Sequence, residues 1–286
     1  MIETTIPLLR SVLDPRSRTL IMGIINTTPD SFSDGGVHYD PDTAVNSAME
    51  MIEAGADIVD VGGESSRPGS EPVTEEEELR RTEPVIREII RRAPDAVISI
   101  DTRRSGVARK ALDAGAQILN DITGFRDDPD MVRTAAESGA AIVIMHMLGT
   151  PKTMQKEIRY ASFPGDIPDF FAERIETLEA AGVEPNKIII DPGIGFGKTF
   201  DQNLALINRL VEFRRFGKPL LLGASRKAFL GKVLDLPKAS DRDPGSAAVV
   251  TAGILRGADI VRVHHVPYGV TACKVADAVL REKAVP

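Results

Sequence analysis

Short apolar runs recur along this chain. Each is closed by a polar side chain and followed by a stretch whose apolar residues return with helical period. The runs are Leu20–Ile25, Ile58–Val61, Val97–Ile100, Ile118–Leu119, Ala141–Met145, Lys187–Ile190, Pro219–Leu222 and Ile260–Val263. Their brevity and β-branched content predict strands buried on both faces of a parallel sheet. Most of the intervening stretches predict amphipathic helices. Pro41-Asp42-Thr43 opens one of them. Thr74 with Glu77 predicts a capping box for another, whose first turn holds the acidic run Glu75–Glu78, where negative charge complements the helix dipole.

One junction repeats. Glu53-Ala54-Gly55-Ala56-Asp57-Ile58-Val59 returns as Asp113-Ala114-Gly115-Ala116-Gln117-Ile118-Leu119, then as Glu137–Val143 and as Arg256–Val261. In each copy a glycine takes the left-handed conformation that stops a helix, and a β-branched run then starts a strand. Alternation of this kind, with no Pro/Gly/Ser-rich linker, predicts one domain over 1–286 with a barrel core of about 18–283. Eight repeats fit a (β/α)8 TIM barrel better than an open doubly wound sheet, and no G-x-G-x-x-G follows the first strand. Thr150–Phe171 exceeds an ordinary loop and predicts an extra helical turn.

Barrels of this class place their chemistry where strands stop. Here the strands end at Asn26, Glu64, Asp101, Asn120-Asp121, His146, Asp191, Ser225-Arg226-Lys227 and Arg262 with His264. A nearly full ring of polar ends predicts a site. Within the ring, Asp121 is expected to cap a helix, and His265 and Arg226 to point to the opposite face from His264 and Lys227. His146 suits a satisfied pocket-floor residue as well as a ligand. Two long βα loops, 27–39 and 62–72, are expected to be mobile, and Arg67 on the second offers a planar donor fork to an anion. Gly193–Thr199 resembles a P-loop but has Pro192 where the motif needs glycine. It reads better as backbone making room for a flat ligand, with Phe196 as an apolar contact.

The ring sorts into two zones. Asp101, Asn120 and Asp191 offer acceptors suited to a flat heterocycle with an amidine-like edge. Arg67, Lys227, Arg262 and His264 form a cationic zone suited to phosphate, and Asn26 adds a neutral oxygen suited to Mg²⁺ beside it. Composition narrows the partners. The formal net charge is −7, so no nucleic-acid footprint is expected, and any anionic ligand needs a local cationic cluster. Cys273 is the only cysteine, which excludes a disulfide framework and a cysteine zinc site; it reads as a small buried hydrophobe. The absence of a signal sequence or spanning run leads to the expectation of a cytoplasmic protein with no membrane partner.

Gly23–Gly36, Gly62–Ser70, Asp101-Thr102, Asn120-Asp121, Met145-His146-Met147, Asp191–Lys198, Ser225-Arg226-Lys227 and Arg262-Val263-His264 together resemble the dihydropteroate synthases, a pterin-binding TIM-barrel family. The resemblance runs through nearly the whole chain. It implies condensation of 6-hydroxymethyl-7,8-dihydropterin pyrophosphate with p-aminobenzoate, Mg²⁺ as cofactor and a homodimer. It places Asp101, Asn120, Met145, Asp191, Phe196 and Lys227 on the pterin, and Asn26, Arg67, Arg262 and His264 on pyrophosphate, with Asn26 on the metal. Ser66, Arg67, Pro68, Phe196, Ser225 and Lys227 border the p-aminobenzoate, and Asp101, Lys227, Arg262 and Arg67 carry the catalysis. Ser66 stands where the family more often has Thr, Thr27 where Val is common, and His265 where an acid is frequent. Two rival readings remain: a Schiff-base aldolase built on Lys227, and a non-catalytic pterin-binding homologue.

Overall fold

The computed structural model describes residues 18–28, 41–66, 69–156 and 158–282. Eight parallel strands are present: β1 (Leu20–Asn26), β2 (Ile58–Gly62), β3 (Val97–Asp101), β4 (Ile118–Asp121), β5 (Ala141–Met145), β6 (Ile188–Asp191), β7 (Leu221–Leu222) and β8 (Ile260–Val263). Hydrogen bonding runs β6-β5-β4-β3-β2-β1-β8-β7. A parallel bridge between Ile190 and Leu220 joins the two ends, with the Ile190 N–H donating to the Pro219 carbonyl at 3.0 Å. The sheet is therefore a nearly closed barrel, as the alternation predicts.

The helices alternate with the strands. They are α1 (Pro41–Glu53), α2 (Glu75–Arg92), α3 (Ser105–Asp113), α4 (Met131–Ser138), α5 (Asp166–Ala180), α6 (Phe200–Asn208), α7 (Ala228–Leu234), α8 (Asp243–Ile254) and α9 (Val266–Arg281). The junction glycines behave as their repeat predicts: Gly55, Gly115, Gly139 and Gly257 all have positive φ. Between β7 and β8 the chain carries two helices, α7 and α8, where a single crossover helix would serve. The extra turn expected in Thr150–Phe171 takes the form of hydrogen-bonded turns over 151–156, with Met154 N–H on the Thr150 carbonyl at 2.7 Å.

Side chains alternate across each strand, so every second residue faces the barrel axis. Leu20, Met22, Ile58, Ile118, Ala141, Val143, Ile189, Leu221 and Ile260 form one buried cluster that fills the lower barrel. A larger cluster, including Val59, Ile98, Ile142 and Leu222, packs the other strand face against the helices. Two residues beyond several of those inward apolar positions, the inward residue is polar: Asp60, Asn120, Asp191 and Arg262. The register sets Asn26 beside Gly62, Gly62 beside Asp101, and Asp101 beside Asn120. The barrel thus changes from hydrocarbon to polar along its own axis.

One local expectation is only half met. Thr74 caps α2 by accepting from the Glu77 N–H at 3.2 Å, but the Glu77 carboxylate does not return to the cap. It binds Arg80 and Arg81 at 2.7 Å each, since two guanidiniums are stronger partners than one backbone N–H. The complete capping box lies at Thr199 and Gln202, at the start of α6.

Candidate active site

The strand ends converge on Arg262. Its Nε donates to Asp60 Oδ2 at 2.6 Å, and its Nη2 donates to Asp101 Oδ2 at 2.7 Å. Asp60 Oδ2 also accepts from Asn120 Nδ2 at 3.1 Å. The two zones expected from sequence are thus stitched together, because Arg262 reaches across the barrel mouth into the carboxylates. Asp60 was not among the expected site residues. An acid inside the apolar run Ile58–Val61, with the same strand parity as Ile58, was the signal that could have found it. It is completely buried, and both its Oδ1 and Ser99 Oγ lack partners among the described residues. Each such orphan costs about 1–3 kcal/mol. The short Arg262 contact offsets that cost for Asp60.

Burial shapes the titration of these groups. It pushes the Asp101 carboxyl up to about 7, against the pull of Arg262 and with the help of the Asp60 charge. Burial also raises Asp191, whose Oδ1 accepts from the Gly193 N–H at 2.7 Å. It lowers Lys227 to about 8, reinforced by Arg262 and opposed by Asp191.

Lys227 lies with Nζ 3.9 Å from the centroid of the Phe196 ring. That ring is held by a glycine-rich loop and belongs to a small apolar cluster with Ile122, Met145, Met147 and Met154. The loop needs its glycines. Gly193 has φ +71, and a Cβ there would stand 2.0 Å from the His146 carbonyl oxygen; at Gly195, with φ +86, it would press on the Lys227 stem. Lys198, the lysine of the failed P-loop match, is buried and turned inward. Its Nζ donates to the Phe196 carbonyl at 3.0 Å and the His146 carbonyl at 3.3 Å, and lies 3.0 Å from His146 Nδ1. Burial lowers Lys198 to about 7 and His146 to about 2, so His146 is neutral. Of the two expected alternatives, its contacts with Lys198 fit the satisfied residue.

The remaining ring residues divide. His264 Nδ1 lies 3.0 Å from Ser225 Oγ, and both line the cavity with Asn26, Ser66, Lys227 and Arg262. Glu64, in contrast, is engaged by Arg103 at 3.2 Å and Arg104 at 2.6 Å, an ion-pair group that fastens the second loop to the start of α3. Asp121 accepts from the N–H groups of Thr123 and Phe125, at 2.7 and 2.9 Å, so it caps a turn rather than α4. Asp101 caps nothing. Arg226, expected to point away, is in the cavity lining, in a paired contact with Asp243 at 2.7 Å, and His265 caps α9 by accepting from the Tyr268 N–H at 3.2 Å. Cys273 is buried. Arg67, Pro68 and most of the 27–39 loop lie outside the described residues.

Above these groups opens a cavity of about 910 Å³. Its described walls include Lys198, Arg226, Lys227, Lys232, Lys238, Arg242 and Arg262 and no Asp or Glu. A chain of net charge −7 has therefore gathered positive charge in one concave place, where field lines focus on an anion. No group of three or more His, Cys, Asp or Glu among the described residues is arranged to hold a metal. A resident multi-ligand metal centre does not fit that set. A Mg²⁺ ion that needs a single protein oxygen would fit it, and Asn26 in the cavity wall could offer one. No described helix is long and apolar enough to cross a membrane.

Comparison with known proteins agrees with this geometry. The family model of pterin binding enzymes matches residues 22–264. A dihydropteroate synthase of Synechocystis sp. is 47% identical over 276 residues, which cover 96% of this chain and 95% of that protein. The solved structure of Xanthomonas albilineans dihydropteroate synthase with 4-aminobenzoic acid superposes with a TM-score of 0.87 at 38% identity, covering 95% of each chain. The same organism's enzyme in complex with 7,8-dihydropteroate gives a TM-score of 0.83 at 36% identity, covering 95% of this chain and 96% of that one. An acceptor-lined barrel floor beneath a cationic mouth, matched along almost its whole length, places this chain in the dihydropteroate synthase family of pterin-binding enzymes.

Proposed function

We propose that this barrel, read as one domain, joins 4-aminobenzoate to 6-hydroxymethyl-7,8-dihydropterin pyrophosphate, giving 7,8-dihydropteroate and pyrophosphate. The observation that carries the reading is the Asp101–Arg262 contact of 2.7 Å, a buried acid and a fixed cation at the junction of the acceptor floor and the cationic cavity. Asp101, Asn120 and Asp191 take the donor edge of the pterin, with Met145, Phe196 and Lys227 against its faces and rim. Arg262, His264, Asn26 and Arg67 take the diphosphate. Ser66, Pro68, Phe196, Ser225 and Lys227 border the arylamine. The relatives solved with 4-aminobenzoic acid and with 7,8-dihydropteroate support these ligand classes.

The chemistry follows from charge. Breaking the methylene C–O bond sends its electron pair onto the diphosphate and leaves a cation delocalised into the pterin. Arg262, Lys227 and His264 stabilise the departing anion, and the Asp101 carboxylate stabilises the cation left behind. Mg²⁺ held by Asn26 would supply further charge neutralisation when bound. The arylamine is neutral at pH 7, so it needs placing rather than strong deprotonation. Its nitrogen lone pair forms the new C–N bond, and its proton is lost to solvent or to the leaving group. This suits a site without a nucleophile–base pair.

Lys227 is desolvated beside Arg262, as a Schiff-base lysine would also be, so chemical trapping decides that alternative. Borohydride with a carbonyl substrate should trap nothing there. A homodimer and a cytoplasmic location complete the reading; Val275, Val279 and Leu280, exposed on α9, are apolar surface that supports the former. The direct test supplies both substrates to the purified chain and measures products. Dihydropteroate and pyrophosphate in equal amounts support the assignment; pterin binding without either product supports the non-catalytic alternative.

A further inference from the structure

Asp60 has no role in the reaction as described, although it touches two residues that do. Its Oδ2 is embraced by Arg262 at 2.6 Å and by Asn120 Nδ2 at 3.1 Å. Two chemical consequences follow. A carboxylate only accepts hydrogen bonds, so the amide of Asn120 must present its NH2 to Asp60 and keep its oxygen for a ligand. The second consequence concerns Arg262, which sits between unequal partners. The Asp60 side chain is 0% exposed and that of Asp101 14%. Asp101 also borders a small adjoining cavity with Ser65 and Ser66, so water can reach it. Removing the guanidinium from Asp60 would strand a charge in the barrel interior, beside the unpartnered Ser99 hydroxyl that is its register neighbour on β3. Removing it from Asp101 strands nothing once another donor arrives.

We propose that Asp60 is a positioning residue of the synthase reaction. It anchors Arg262 while Asp101 exchanges that arginine for the dihydropterin, and it turns the Asn120 oxygen toward the same ligand. The proposal rests on the function assigned above. It goes further in giving the barrel floor a second layer, one that never meets substrate and sets the direction of the groups that do.

The test compares wild type, Asp60→Asn, Asn120→Asp and the double variant D60N/N120D in steady-state kinetics, with thermal unfolding as a folding control. In D60N, Arg262 keeps only a neutral amide oxygen at position 60 beside its Asp101 contact, and the Asn120 amide is free to turn over. The KM for dihydropterin pyrophosphate should then rise about tenfold or more, while that for 4-aminobenzoate stays within about twofold. The double variant exchanges donor and acceptor, keeps the net charge and still shows the ligand an oxygen. It should return the pterin KM to within about threefold of wild type. A purely structural Asp60 gives the opposite pattern: fewer active molecules, unchanged KM values, and a double variant no better than the single ones. That pattern overturns the proposal. Should D60N not fold, the double variant decides, since a pterin KM as poor as that of N120D alone would equally overturn it. Wild type that makes no product would sink the synthase reading. The Asp60 proposal is then decided by equilibrium binding of the dihydropterin to the same variants, with the same ratios expected and equal affinities refuting it.

Discussion

Substituting Asp101→Asn separates holding the pterin from stabilising its cation. The amide keeps an oxygen for the ligand's donor edge and nearly the same volume, but it loses the charge. Arg262 remains anchored on Asp60 through Nε at 2.6 Å, so the surrounding groups keep a reason to stay in place. A unit charge about 4 Å from the developing cation, at an effective dielectric constant near 20, contributes about 4 kcal/mol. At about 1.4 kcal/mol per decade, kcat should fall by roughly a thousandfold. The affinity for dihydropterin pyrophosphate loses only a charge-assisted component of its hydrogen bonds, on the order of tenfold. Pyrophosphate release measured by a coupled phosphate assay gives the first quantity, and equilibrium titration with the dihydropterin gives the second. Equal losses in kcat and affinity would refute cation stabilisation and leave Asp101 as a binding group.

Three other consequences can be checked on the same protein. The value of kcat/KM for the dihydropterin should rise as pH passes about 7, where Asp101 gives up its proton, and fall above about 8, where Lys227 loses its own; a flat profile across that window contradicts both assignments. Gly193→Ala forces a left-handed φ and a clash with the His146 carbonyl, so it should cost about 3 kcal/mol and lower the thermal midpoint by roughly 5 °C. Excess chelator should abolish pyrophosphate release, and Asn26→Ala should raise the Mg²⁺ concentration needed to restore it; full activity in chelator removes Asn26 from its metal role.

The strands were legible because a parallel barrel buries both faces of each, leaving short apolar runs with polar ends. Asp101, Asn120, Asp191 and Arg262 were legible for a related reason: a polar residue where a buried strand stops needs an explanation beyond solubility. Asp60 escaped because it lies one alternation below the end of β2, where strand-end reasoning does not look and only strand parity points inward. Lys198 escaped because it was weighed as a nucleotide motif. Its actual partners, His146 and Phe196, are brought to it by the fold rather than by spacing. Glu64 was over-read for the same reason, since its engagement by Arg103 and Arg104 depends on how the β2 and β3 loops meet. Polar groups at strand ends leave a signature at predictable positions. Residues that orient them depend on side-chain pairings across strands, which periodicity does not encode.

On the proposed mechanism, cations at the barrel mouth draw away a diphosphate while acids at its floor hold the cation left behind. Incubating the purified chain, Mg²⁺ and dihydropterin pyrophosphate without any arylamine tests it most directly. Pyrophosphate release is expected, followed by dihydropteroate once 4-aminobenzoate is added. Pyrophosphate that never appears until the arylamine is present, at any enzyme concentration, would contradict departure before attack.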